Sequence, residues 1–416
     1  MTQHKFHYGW VILVVGVLVI AGAVGFGKFS YSMIIPAMQE GLKLSHEEAG
    51  IIASANTLGA FFASLVAGMG ASSYGPKLII VTGLLLTGIS LSFSSLADSV
   101  TFLLIYRFLA GIGSSFSSIA IMGLASSWFA TRIRGMALGF IVGGSGIAMM
   151  VTGWLVPVFN FRYEDNGWRY SWLALGFILI GIALLAAFTI KNHPKEKGLT
   201  PVGADETYFS KEQDKDSKIL TIRDIFRKNP TRILAFIYFC FGMSYIIYTM
   251  FFVNYMIIER NVNQSLAGSI WGTVGFLSIF SAVIWGYLSD KLGRGPILVF
   301  VFLVQAISYL LPVFAVSITY LWLSAIAFGL VAWSVPGIVA SCCGDFVGAK
   351  NASAVLGCVT FLNGLGSVLG PAIAGFIKES SSSFSGAFLL GALLACCGAF
   401  GSAILSVYFS PRSFSG

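Results

Sequence analysis

Long apolar stretches alternate with short polar ones along the whole chain. Eleven stretches of at least 20 residues contain no Asp, Glu, Lys or Arg: 6–27, 49–76, 78–97, 108–131, 135–161, 170–190, 233–258, 261–289, 295–344, 351–377 and 380–411. A helix of about 20 apolar residues crosses a bilayer. The stretch 295–344 is long enough for two helices and is interrupted near Pro312 to Thr319. The pattern therefore predicts twelve membrane-spanning helices.

The composition supports an all-α membrane protein. Hydrophobic residues make up 56% of the chain and charged residues 10%, and the mean hydropathy is +0.85, far from the values of soluble globular domains. Segments of about ten residues with alternating polarity, which are typical of transmembrane strands, do not occur in the sequence. The first apolar segment is too long for a secretory signal, so we interpret it as a retained span.

The distribution of basic residues predicts the orientation. The net charge of +8 would suggest a nucleic-acid partner in a soluble protein. When the predicted helices alternate in direction across the membrane, however, 18 of the 25 Lys and Arg residues fall on the side of the N-terminus and only 5 on the other side. Cytoplasmic segments of membrane proteins carry this excess. We therefore expect a multi-pass protein of the cytoplasmic (inner) membrane with both termini in the cytoplasm, the lipid bilayer as its surroundings and no nucleic-acid partner.

A charged central segment divides the apolar stretches into two sets of six. Residues 191–230 are charged and begin with a Pro- and Gly-containing part, as expected of a linker. We predict an N-terminal six-helix bundle over 1–190, a cytoplasmic linker over 191–230 and a C-terminal six-helix bundle over 231–416. The two halves form an internal repeat, since Phe-Gly-Lys at 26–28 corresponds to Phe-Gly-Met at 241–243.

Two motifs resemble those of the major facilitator superfamily. Residues 286–294 read Gly-Tyr-Leu-Ser-Asp-Lys-Leu-Gly-Arg and resemble the family signature G-x-x-x-D-[RK]-x-G-[RK]. Residues 107–113 read Arg-Phe-Leu-Ala-Gly-Ile-Gly and are similar to the family motif R-x-x-x-G-x-G. The first-half copy of the signature keeps only part of it: Gly68, Gly75 and Lys77 remain, with Ser72 and Ser73 where an acidic and a basic residue usually stand.

The resemblance implies a fold and a mode of action. It implies two pseudo-symmetric six-helix bundles around a central cavity, lined chiefly by spans 1, 4, 7 and 10, that opens alternately to either side of the membrane. The complete signature predicts a gate in which charge-assisted hydrogen bonds to neighbouring helix ends hold one face closed. Its residues are Gly286, Asp290, Lys291, Gly293 and Arg294. The alternative for the two basic residues is topology alone.

Two basic residues lie inside predicted spans, and no Asp, Glu or His does. Lys28 lies in span 1 and Arg107 in span 4. A charged residue near the middle of a span costs about 2.5–3.5 kcal/mol, so it persists mainly where it faces a polar cavity. Lysine would act as a point charge and arginine as a two-pronged carboxylate clamp. The alternative for Arg107 is a structural role near the membrane interface, bonded to helix carbonyls.

Two uncompensated cations predict an anionic ligand. The leading hypothesis is transport of a small organic anion, monocarboxylate-like, by proton symport or anion exchange, as in the bacterial monocarboxylate and oxalate–formate porters that the chain resembles. The predicted substrate-binding residues are Lys28, Tyr31, Arg107, Tyr245, Tyr248, Thr249, Trp333 and Asn363. The stretch from Trp333 to Pro336 is expected to bend span 10.

Other functions are weighed against this one. Efflux of amphipathic or aromatic compounds is suggested by the 14% aromatic content, and a third alternative is a sensor that kept the fold and lost turnover. The six cysteines and four histidines show no metal-ligand spacing, and no catalytic motif occurs. We therefore expect no enzyme activity, cofactor or metal, and a monomer.

Overall fold

The computed structural model describes residues 7–204 and 229–408, which are almost entirely helical. Ten of its segments are long and apolar enough to cross a membrane. One of these segments, Ile133–Thr189, contains two helices, and the 29-residue helix His46–Tyr74 is a further one. The described residues therefore contain twelve crossing helices, as predicted.

The crossing helices are numbered in chain order. They are α1 Gly9–Leu42, α2 His46–Tyr74, α3 Pro76–Ser94, α4 Val100–Trp128, α5 Thr131–Tyr163, α6 Gly167–Thr189, α7 Asn229–Ile258, α8 Gln264–Leu292, α9 Arg294–Val313, α10 Ile318–Cys343, α11 Val355–Ser381 and α12 Ser385–Tyr408. We call the end of the molecule with residues 190–204 the linker end, and the end with the loops at 43–45, 259–263, 314–317 and 382–384 the far end.

The turns after α2 and α8 have the same backbone conformation. Gly75 has φ +87° and Gly293 has φ +97°, and each is followed at once by the next helix. Only glycine adopts this region without a steric cost. This explains the glycine at this place in both halves, although the first half has Ser72 and Ser73 where the signature has charged residues.

Helix α10 is interrupted in its middle. Its first segment ends at Val331, and helical geometry resumes at Ser334 for the second segment. The backbone N–H of Trp333 donates to the hydroxyl of Ser281 in α8 (3.1 Å), and Pro336 lies in the first turn of the second segment, where no hydrogen-bond donor is needed. The predicted bend is confirmed.

The two bundles meet along α5 and α8. At Gly146 a Cβ atom would lie 2.4 Å from the carbonyl oxygen of Gly275, so the backbones touch directly. Towards the linker end, a Cβ at Gly135 or Gly286 would meet nothing within 4 Å. The two helices therefore touch from Gly153 to Gly139 and separate only beyond Gly139, at the linker end.

The seam between α2 and α11 behaves in the same way. At the far end a Cβ on Gly50 would lie 2.5 Å from the carbonyl oxygen of Pro371, and in the middle the rings of Phe61 and Phe361 are 4.8 Å apart. At the linker end Tyr74 is 74% exposed. Both seams thus show a molecule that is closed at the far end and open at the linker end.

Six glycines of α5 and α11 allow close helix packing. A Cβ on any of them would lie within 3.1 Å of an atom of a neighbouring helix: Gly139, Gly143, Gly146, Gly364, Gly366 and Gly370.

The first part of the predicted linker packs on the linker end of the first bundle. The indole of Trp128 donates to the carbonyl of Lys191 (3.0 Å), and the N–H of Val202 donates to the carbonyl of Trp128 (2.9 Å). The amide oxygen of Asn192 accepts from the N–H of Lys77 at the start of α3 (2.9 Å). Most of the remaining linker, 205–228, lies outside the described residues, and the domain limits at 190 and 231 stay a prediction.

Candidate functional site

The middle of α1 is a wide helical turn. Residues Ala21–Phe29 form a π-helix, and the N–H of Ser30 bonds the carbonyl of Gly25 five residues back (3.0 Å). Such segments are rare and frequently mark functional sites. Glycine lets this segment pack directly on α5, because a Cβ on Gly25 would lie 2.1 Å from the Cβ of Ala148 in α5. The π-helical turn carries Lys28, the residue on which the anion hypothesis depends.

Arg107 of α4 holds this turn in place. Its Nη1 donates to the carbonyl of Gly27 (2.9 Å), next to Lys28. The amide of Asn56 in α2 lies 3.5 Å from the same carbonyl and 3.1 Å from the carbonyl of Arg107. The backbone around Lys28 is thus anchored to α2 and α4.

The structure places Arg107 away from any open space. Its side chain is fully buried, and the guanidinium carbon lies 4.8 Å from the centre of the Tyr31 ring and 5.2 Å from that of Trp172. Nε and Nη2 make no hydrogen bond to the described residues. The contact with the Gly27 carbonyl does not test the predicted role of Arg107 as a substrate ligand, which stays a prediction. Its long side chain turns back into the bundle and bonds a carbonyl, as the structural alternative foresaw.

Lys28 points across to the second bundle. Its Nζ donates to the hydroxyl of Tyr245 in α7 (3.0 Å) and lies 5.5 Å from the centre of that ring and 5.7 Å from the centre of the Phe29 ring. The side chain is half-buried. Among the described residues, no Asp or Glu forms an ion pair with it. An ammonium group without a counter-ion therefore lies between the bundles, facing aromatic rings.

The opposite wall is built by α7 and by the interruption of α10. The Trp333 ring lies 5.2 Å from that of Phe29 and 6.2 Å from that of Tyr245, which stacks on Phe241 at 4.7 Å. The indole Nε1 of Trp333 and the hydroxyl of Ser334 are buried and have no hydrogen-bond partner in the described part of the chain. Unpaired buried donors are costly, and these two lie where a helix begins, at its positive end. Both donors belong to the wall whose Tyr245 hydroxyl accepts from Lys28.

The other predicted binding residues are engaged elsewhere. The hydroxyl of Tyr31 donates to the carbonyl of Ala49 (2.9 Å), that of Tyr248 shares a hydrogen bond with Ser324 (2.7 Å), and that of Thr249 donates to its own helix. All three are fully buried. The amide of Asn363 donates to a carbonyl of α7 (3.0 Å). Of the eight residues, the structure brings together Lys28, Tyr245 and Trp333.

The predicted gate residues form a cluster within the second bundle. Arg294 donates through Nε to Asp345 (3.1 Å) and through Nη1 to Ser289 (2.8 Å), and it pairs with Asp290. Lys291 lies over the ring of Tyr287, 4.6 Å from its centre. The cluster joins α8, α9 and the residues after α10 at the open linker end, and its role as a gate stays a prediction. Asp345 and Ser289 were not foreseen, although Asp345 ends a charge-free stretch.

Hydrogen bonds between the bundles occur at the far end. The amide of Asn254 in α7 donates to that of Gln39 in α1 (2.9 Å), and the N–H of His46 donates to Glu379 in α11 (3.1 Å). Sequence reasoning missed this set because its residues lie at helix ends, where polar residues are common.

Comparison with known proteins assigns the chain to a family. The family model described as Major Facilitator Superfamily matches residues 17–371 and, in a second match, 234–415. The chain belongs to this superfamily, and it is a transporter rather than an enzyme.

Relatives match over most of the chain. The hexuronate transporter of Bacillus subtilis (strain 168) is 23% identical, with 91% of this chain and 90% of the relative covered. A probable sulfoacetate transporter of Cupriavidus necator is 23% identical (92% and 90%), and human monocarboxylate transporter 2 is 21% identical (91% and 81%). Among solved structures, a bacterial homologue of the human lysosomal transporter Spinster superimposes with a TM-score of 0.73 at 15% identity and covers 99% of this chain and 98% of its own.

Proposed function

We propose that the protein carries a small organic anion, of the monocarboxylate type, across the cytoplasmic membrane by alternating access. The observation that carries this proposal is the position of Lys28, whose ammonium lies between the bundles without an acidic partner among the described residues. Burying an unpaired charge is unfavourable, and an anionic substrate removes that cost.

The placement of the donors supports a coupling between binding and movement. Lys28 belongs to the first bundle, whereas Tyr245, Trp333 and Ser334 belong to the second. An anion bound between them joins the two bundles through charge-assisted hydrogen bonds, each about twice as strong as neutral ones. The loaded carrier then closes more readily than the empty one.

The names of the relatives favour the same substrate class. Hexuronate, sulfoacetate and monocarboxylates are organic anions, and the proteins named as their transporters match almost the full chain. They differ in size and in acid group, so the common requirement is one negative charge. Lys28 meets that requirement without selecting a particular acid, and the rings of Phe29 and Trp333 would pack on the rest of the substrate.

The open end of the structure is the cytoplasmic one in this proposal. The distribution of basic residues favours a cytoplasmic linker and cytoplasmic termini, and in that orientation the described state releases or accepts substrate on the cytoplasmic side. Because no carboxylate of residues 7–204 or 229–408 pairs with Lys28, a proton would travel on the substrate or on the lysine, or a second anion would travel in exchange.

Uptake into proteoliposomes tests the proposal. A panel of small carboxylates, sulfonates and aromatic acids is screened with wild type, with Lys28→Gln and with Lys43→Gln, which removes an equal charge from an exposed position at the far end. We expect saturable uptake of at least one acid by wild type and by Lys43→Gln, and none by Lys28→Gln. Uptake that is the same in all three would remove Lys28 from the site.

One outcome would favour the alternative of efflux of aromatic compounds. The site walls are aromatic, and a neutral aromatic compound exported equally by wild type and Lys28→Gln would show that the rings and not the ammonium bind the substrate.

A further inference from the structure

One titratable side chain lies in the contact that closes the far end. His46 is the first residue of α2, its N–H bonds Glu379 of the other bundle (3.1 Å), and its ring packs edge-on against Phe384 at 5.7 Å. Beside it, Gln39 of α1 accepts a hydrogen bond from Asn254 of α7 (2.9 Å). His46, at the start of α2, therefore touches α1, α11 and the loop that follows α11.

The hydrogen bonds indicate the protonation state of this histidine. The amide nitrogen of Gln39 lies 3.3 Å from the carbonyl of Ser45, which can only accept, and its amide oxygen faces the NH₂ of Asn254. The same amide nitrogen is 3.0 Å from Nδ1 of His46. An NH₂ group only donates, so this contact is a hydrogen bond only when Nδ1 carries no proton. The contact therefore fits neutral His46 with its proton on Nε2.

We propose that His46 is the proton-binding residue of the far-end gate, so that neutral His46 holds the far end closed and protonated His46 opens it. Protonation places an N–H on Nδ1 against the NH₂ of Gln39, which turns an attraction into a repulsion and frees the contact to Asn254. The ligand of this site is the proton. The proposal goes beyond the proposed function and holds for any cargo.

Five carboxylates and one ammonium surround His46, and three of the carboxylates are already hydrogen-bonded. They come from every element packed on it: Glu40 of α1, Glu47 and Glu48 of α2, Glu259 at the end of α7, and Lys378 and Glu379 of α11. Glu259 is already taken up by Lys378 (2.8 Å), Ser383 (2.9 Å) and the N–H of Phe384 (2.7 Å).

The nearer carboxylates on α2 and α11 are also engaged. Glu48 bonds the N–H of Ser45 (2.8 Å), and Glu379 already binds the backbone N–H of His46 and is exposed to solvent. The start of a helix is its positive end, which disfavours a second positive charge there.

The direction of the pKa shift agrees with this geometry. His46 precedes the charge-free stretch 49–76 and so lies outside the membrane-spanning part. Burial first, and then the charge of Lys378, lower the pKa of His46 below its usual value, while Glu379 and Glu259 act in the opposite sense. In the opened gate the ring meets water and its pKa returns to the usual value of a histidine. Closure is therefore fully favoured above that usual pKa and weakens as the pH falls below it.

A cavity of about 370 Å³ at the far end gives protons access to this residue. Gln39, Glu40 and His46 line it on one side and Ile257 of α7 on the other. The proton therefore reaches His46 from the side of the membrane that the far end faces. Acid on that side would open the gate towards it.

Hydrogen–deuterium exchange of the purified full chain, without substrate, tests the proposal. Exchange rates corrected for their intrinsic pH dependence are compared at pH 7.5 and pH 5.0. We expect faster exchange in far-end peptides around 39–50 and 372–386, and slower exchange in linker-end peptides around 135–143 and 283–292, because opening one end closes the other. One linked proton changes the ratio of closed to open molecules at most tenfold per pH unit, so a several-fold change is expected between the two values.

Matched variants separate the gate from general effects of acid. His46→Gln should show no such pH response, whereas His193→Gln, at the linker end, should respond as wild type does. Far-end exchange that is unchanged between the two pH values in wild type would overturn the proposal, as would an equal response in His46→Gln. If His46→Gln does not fold, the opposite changes at the two ends of the wild type decide alone, since acid destabilisation would raise exchange at both.

Discussion

Replacing Arg107 by glutamine tests whether Arg107 contacts the substrate itself or positions Lys28 for that contact. Arg107 is fully buried and bonds the carbonyl of Gly27 (2.9 Å), which precedes Lys28 in the chain. A hydrogen bond from a charged donor contributes about 1.5–3 kcal/mol. If Arg107 acts by holding the π-helical turn, this range bounds the free energy available for placing Lys28. Its loss should weaken substrate binding by about 10- to 150-fold.

A double-mutant cycle measures whether the effect passes through Lys28. Affinity for the acid that binds wild type best is measured by thermal-shift titration for wild type, Arg107→Gln, Lys28→Gln and the double variant. We expect the double variant to bind as weakly as Lys28→Gln alone, with a coupling energy of about 1.5–3 kcal/mol, because residues that act as a unit are not additive. A full additional loss in the double variant would mean that Arg107 contacts the substrate directly, and the positioning role would be wrong.

Three further substitutions test the packing and the ion pairs. Gly146→Ala inserts a methyl group 2.4 Å from a backbone oxygen, so we expect a loss of about 1–3 kcal/mol in stability. Gly135→Ala, with nothing within 4 Å, should be neutral or gain up to about 1 kcal/mol. Equal melting temperatures of the two variants would contradict the close contact of α5 and α8 at Gly146. Glu259→Gln leaves the ammonium of Lys378, 6% exposed, without its partner and should lower the stability by about 3 kcal/mol. The second substitution Lys378→Met should restore part of that loss. Unfolding curves in detergent in which the two substitutions cause additive losses would refute the ion pair. Arg294→Gln removes hydrogen bonds to partly exposed carboxylates, so we expect a loss of only about 1 kcal/mol in stability. A loss of several kcal/mol would show that the cluster also stabilises contacts outside the second bundle.

The helices could be read from the sequence because their signal is simple. A span needs about 20 residues without charge, and each such stretch became a crossing helix, including the division near Pro312. The two glycines at positive φ were visible as the repeated signature. The bend of α10 was foreseen because Pro336 cannot donate a hydrogen bond.

The site was only partly predictable, because which way a side chain turns does not follow from its depth. Lys28 and Arg107 looked alike as cations inside spans, yet one faces the other bundle and the other turns back to a carbonyl of α1. Tyr248 and Thr249 share a helix with Tyr245 but bond to Ser324 and to their own helix. The π-helical turn was not foreseen, although three glycines at 22, 25 and 27 were its signal.

The far-end contacts show a second limit. Gln39, His46 and Glu379 belong to helix ends that are far apart in the chain, and nothing in a single sequence pairs them. Their meeting follows from the closed state of the molecule.

The most direct test compares an acid with its neutral amide. The affinities of the best-binding carboxylate and of the corresponding carboxamide are measured for wild type and Lys28→Gln under the same conditions. The ammonium of Lys28 predicts that wild type prefers the carboxylate by at least tenfold and that the preference disappears in Lys28→Gln. An undiminished preference in the variant would show that another group recognises the charge, and the anion site between the bundles would have to be placed elsewhere.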